Sequence, residues 1–116
     1  MRHLLIGLPP LFLVLACGGY PPPQDAYIAA QQDVGRAEQG GAPAGGKAKL
    51  YYTQAQEHLQ QAKQLMDNGD NQKAEDLINV SRSEAQLALS LAKEQTFEDQ
   101  AKKAQDDLAK VKGGGQ

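Results

Sequence analysis

The chain has no tryptophan, two phenylalanines, four tyrosines and a single cysteine, Cys17. With so few large side chains, its interior must be built mostly from alanine and leucine. Such a core is thin and buries little apolar area per residue. One cysteine excludes an internal disulfide. A formal charge of −2 leaves no basic excess, so the electrostatic footprint of a nucleic-acid binder is absent. Histidine occurs twice, as His3 and His58. A metal site needs three or four clustered ligands. His58 stands next to Glu57, and adjacent helical residues diverge by about 100°. The acidic pairs Glu98-Asp99 and Asp106-Asp107 are interleaved with lysines and read as a solvated face. No serine has an evident base. These absences point to a non-enzyme with no metal and no cofactor.

The N-terminus is unlike the rest. Arg2 and His3 precede an uncharged run from Leu4 to Ala16. That run is too short to span a bilayer, which takes about 20 apolar residues. Pro9-Pro10 also argues against a continuous spanning helix. Length and flanks suit the apolar region of an export signal over residues 1–16. Val14-Leu15-Ala16-Cys17 resembles the lipobox of bacterial lipoproteins. The resemblance implies cleavage between Ala16 and Cys17, diacylglycerol on the Cys17 sulfur and acylation of the new amine. It implies membrane attachment through that lipid, since more than one chain gives stable anchoring. A neutral residue after the cysteine, here Gly18, goes with outer-membrane sorting in that family.

Residues 17–23 read Cys-Gly-Gly-Tyr-Pro-Pro-Pro, a composition that cannot form a helix interior and suits a tether. A helical domain is expected over 24–112, followed by a disordered tail at 113–116. In the first helix, 24–39, Tyr27, Ala30, Val34 and Ala37 recur at helical spacing, and Asp25 suits the positive end of the dipole. Gly40 to Gly46 is a breaker cluster. It lacks the preceding strand and the Gly-Lys-Ser/Thr signature of a phosphate loop.

The second helix, 47–68, carries the seam Ala48, Tyr52, Ala55, Leu59, Ala62 and Met66. At Asn68-Gly69-Asp70, glycine is expected to take the left-handed conformation that ends a helix. Asp70 is expected to cap the next one with its side chain. The acids here do not follow an EF-hand, because Ile78 stands where the terminal glutamate would fall. The third helix, 71–111, meets no Gly or Pro and would run about 60 Å. Its first half carries Ala74, Ile78, Ser81, Ala85, Ala88 and Ala92. The seam slips by a step of five before restarting at Phe97, Ala101, Ala104, Leu108 and Val111. The packed bundle is expected to end near Lys93. The fold is therefore read as all-α: a three-helix bundle built on an antiparallel α-hairpin, with a long third helix that projects.

The hairpin Ala55…Leu59…Ala62…Met66…Gly69-Asp70…Ala74 looks like one tetratricopeptide unit, but no second copy follows at the repeat period. The mature chain more closely resembles an uncharacterised family of short helical bacterial lipoproteins, a domain of unknown function that in some members precedes an OmpA-like domain. The lipobox, Gly41-Ala42-Pro43, the Leu50…Ala55…Leu59…Ala62 seam, the Gly69-Asp70 turn and Ala74…Ala85-Gln86-Leu87-Ala88 carry that resemblance. The sequence contains no OmpA-like stretch, so peptidoglycan binding is not implied. Two functional expectations follow. The first is an outer-membrane lipoprotein facing the periplasm that acts as an envelope scaffold. Its candidate interaction face is Phe97, Ala101, Ala104, Leu108 and Val111, and the partner is an envelope protein or a second copy. The second is a cell-wall glycan or small-ligand module that uses Tyr27, Tyr51 and Tyr52 as a stacking surface.

Overall fold

The structure, a computed structural model, describes residues 18–115. Ala16 and Cys17 lie outside the described residues. Helix α1 spans Gln24–Gln39, α2 Gly46–Asp67 and α3 Asn71–Gly113. The chain runs up, down and up. Asp33 of α1 meets Arg82 of α3, and the α1 start lies beside the α3 start, so these two helices are parallel. The chain reverses at the tight turn around Gly69, so α2 runs antiparallel to α3 and hence to α1, and Ser81 and Glu84 of α3 meet Ala55 and His58 of α2. The expected all-α bundle with a long third helix is what the chain forms.

Each boundary has a local cause. Asp25 lies in the first turn of α1 and Arg36 in the last, each complementing the dipole. The α1–α2 connection is not merely loose. Ala42–Ala44 forms a 3-10 turn whose Ala42 is fully buried, a local order the glycine-rich composition did not suggest. Proline at the start of that turn presets its φ. The α2–α3 turn is a Schellman closure. Asp70 N–H donates to the Leu65 carbonyl at 2.8 Å and Gly69 N–H to Met66 at 3.1 Å. Gly69 has φ 82°, the left-handed region expected of it. Asp70 corrects the sequence reading. It stands at the N-cap of α3, but its side chain makes no capping hydrogen bond. Its backbone is engaged instead, with the N–H closing α2 and the carbonyl accepting from Ala74 at 3.0 Å.

The core is a ladder of alanines. Ala30, Ala37, Ala55, Ala62, Ala74, Ala85 and Ala88 are fully buried, and Ile78 is the largest side chain wholly removed from solvent. Small residues let the helix backbones approach closely. Ser81, also fully buried, uses that proximity to donate to the Ala55 carbonyl at 2.7 Å. Half-buried Tyr27, Tyr51, Met66, Leu77, Leu89 and Leu91 wall the ladder. The last buried residue of α3 is Ala92. No helix among the described residues is long and apolar enough to cross a membrane.

Candidate functional site

Beyond Ala92, α3 continues to Gly113 with every described side chain exposed. This arm extends roughly 30 Å past the bundle at about 1.5 Å per residue. It carries the whole predicted interaction face. Phe97 is 68% exposed, Leu108 55% and Val111 74%, with Ala101 and Ala104 exposed between them. The step of five from Ala92 to Phe97 rotates the apolar face by about 140°. The arm's seam therefore does not continue the bundle core, and α1 and α2 are on the wrong side of α3 to cover it.

The chain enters at the opposite end. The Tyr20 carbonyl accepts a hydrogen bond from Asn71 Nδ2 at 2.8 Å. The Tyr20 hydroxyl donates to the Glu75 carboxylate. That hydrogen bond holds the phenol above its ordinary pKa range. The Pro-rich segment is thus fastened to the first turns of α3, and the arm points away from it.

A buried ionic cluster locks α1 against α3. The Asp33 side chain is 1% exposed, with one carboxylate oxygen bound by Arg36 and the other by Arg82 Nε at 2.8 Å. Gln86 Nε2 approaches the same oxygen at 3.5 Å. Burial alone would raise this carboxyl's pKa. The Arg82 and Arg36 hydrogen bonds outweigh it and hold the group below the usual carboxylate range. A second link joins α2 to α3 where His58 Nδ1 meets Glu84 at 2.7 Å.

Between α1 and α2 lies an open groove of about 480 Å³. Val34 and Leu59 form its apolar part, Tyr27 stands at one side, and Gln31, Gln56, Gln60, Gln64 and Lys63 line the rest. Tyr52 is not part of any stacking surface. It is buried, with its hydroxyl accepting from Gln56 Nε2 at 2.8 Å. Burial, and then the charge of nearby Glu38, push its pKa up. The expected platform of three tyrosines therefore does not form, because the helical seam turns Tyr52 into the core.

A family model described as a domain of unknown function, DUF4398, matches residues 25–110. The chain belongs to the DUF4398 family. No curated protein and no solved structure matches it.

In this DUF4398 chain the five predicted face residues share one uncovered side of the arm. The predicted lipid-attachment residue, Cys17, and its neighbour Ala16 fall outside the described part. Among the described residues, no group of three or more His, Cys, Asp or Glu side chains is arranged to hold a metal ion. Asp33 and the amide-lined groove escaped the sequence reading. Asp33 does carry a signal, since it stands three residues after Ala30 and four before Ala37, an acid inside an apolar helix face. The groove has no such signal, because it exists only through the angle between α1 and α2.

Proposed function

We propose that this DUF4398 chain is a lipoprotein, anchored by acylated Cys17 to the outer membrane and facing the periplasm, that serves as a non-enzymatic scaffold of the cell envelope. The observation that carries the reading is the arm. An ordered helix leaves the bundle at the end opposite the tether and exposes Phe97, Leu108 and Val111 along one side. Exposed large apolar side chains aligned on one face mark an interaction surface. A tether at one end and an arm at the other is a geometry that presents a partner-binding helix away from a membrane.

The test is crosslinking in the intact envelope followed by mass spectrometry. The expected N-terminal peptide begins at Cys17 and carries the mass of its acyl chains. Adducts are expected from residues 93–112. An unmodified N-terminal peptide on a chain that does not sediment with membranes would sink the anchored reading.

The groove favours a second reading. Four glutamine amides and Tyr27 around an apolar floor form a surface suited to a glycan or small polar ligand. Retention on purified sacculi, lost with Gln60→Ala and Gln31→Ala together, would support it. Equal recovery with and without sacculi would exclude glycan binding.

A further inference from the structure

We infer that the occupant of the arm is a second copy of this chain, paired parallel and in register along α3. The inference rests on the scaffold reading above and names its partner. Its basis is one heptad frame. The large apolar side chains of α3 left exposed are Val80, Leu87, Phe97, Leu108 and Val111. All five fall on positions a and d of a single seven-residue repeat, with Val80, Leu87 and Leu108 at a and Phe97 and Val111 at d. A strict seven-residue repeat keeps one seam facing a supercoiled neighbour, whereas a helix facing only solvent has no reason to keep it. Between Val80 and Val111 small residues fill the other a and d places, except Glu94; ahead of Val80 the frame meets Lys73 and Asp76, so the seam starts at Val80.

The flanking charges suit the parallel orientation better than the antiparallel one that stacks the two largest arm side chains. In a parallel pair, position g meets position e five residues on in the other copy. Lys93 then faces Glu98, Gln100 faces Gln105, and Asp107 faces Lys112, each twice by symmetry. All six side chains are exposed and available. Within its own helix Asp107 has only Lys110, at 3.9 Å. In an antiparallel pair that stacks Phe97 on Leu108, Glu98 meets Gln105 and Gln100 meets Asp107, so no opposite charges are matched. The tether agrees with the parallel choice. Both chain entries then emerge at one end of the pair, as two copies anchored in one leaflet require. Glu94 places like charges in one core layer, with Lys93 beside it in each copy. This layer and the alanine layers keep the pair weak in dilute solution. Confinement to a membrane surface raises the effective concentration and offsets that weakness.

The experiment uses the full chain in its own membranes, oxidised to form disulfides, with the wild type as reference for Cys17. Val111→Cys should crosslink to itself at a level well above the wild type. Lys112→Glu in that background should reduce the adduct about tenfold, by turning two attractions into repulsions. Adding Asp107→Lys should restore it. Glu94→Leu should raise the yield. If Val111→Cys pairs only with co-expressed Glu94→Cys, the chains are antiparallel and the inference is overturned. An adduct of Val111→Cys with a different protein, and none with itself, overturns the second copy while leaving the scaffold reading in place. No adduct of any kind at this position removes both.

Discussion

Asp33 ties α1 to α3 through Arg82. Its carboxylate is removed from water yet held by two guanidinium groups, both partly open to solvent. Replacing it by Asn keeps the shape and removes the charge-assisted hydrogen bonds, so Asp33→Asn should cost about 1–3 kcal/mol in urea unfolding. The pH dependence has a definite sign. The folded-state pKa is depressed, so the stabilisation is complete above the unfolded value of about 3.9 and is lost as pH falls below it. Thermal melts of the wild type should therefore fall more steeply below about pH 4 than those of Asp33→Asn. Ile78 matters for a different reason. Among the described residues it is the one large side chain fully buried among alanines, which have no atoms to spare for closing a cavity. Ile78→Ala should cost about 2–5 kcal/mol, a large fraction of what so small a domain has. Asp33 is not among the residues expected to matter from sequence, although an acid inside an apolar stripe is a signal. Its partners carry no such signal, because Arg82 lies far along the chain and meets it only through packing.

At the scale of elements, the α2–α3 turn separates two roles that its sequence runs together. Gly69 carries the geometry and the Asp70 side chain does not. Gly69→Ala should destabilise by about 1 kcal/mol, because an L side chain at φ 82° is strained. Asp70→Ala should change stability by less than about 0.5 kcal/mol, well below the typical loss of an N-cap side chain. Paired chemical-denaturation curves would check both, and a large effect at Asp70 would contradict the observed cap. The helices themselves were legible from spacing. Three- and four-residue steps through Ala48, Tyr52, Ala55, Leu59 and Ala62 define a face that burial then follows residue by residue. The same spacing already placed Tyr52 on the buried seam, which weighed against its use in a stacking platform.

For the whole molecule, the decisive feature is the division of α3 into a buried half and an arm. Residues past Lys93 add nothing to the bundle's interior, so a chain ending there should retain the unfolding midpoint of the intact protein at low concentration. A clear loss of stability would mean that the arm folds back on the bundle. The same truncation removes the face on which the scaffold proposal depends.

The three α-helices, the turn at Gly69 and the step between the two seams of α3 follow from the sequence alone. Each is a local matter of periodicity, backbone freedom or rotation per residue. Tertiary structure decided which residues became neighbours. It buried Asp33 between two arginines and opened a groove between α1 and α2. Those outcomes depend on the angles and separations of packed helices, which a ladder of alanines sets through close backbone approach and which spacing along one chain does not encode.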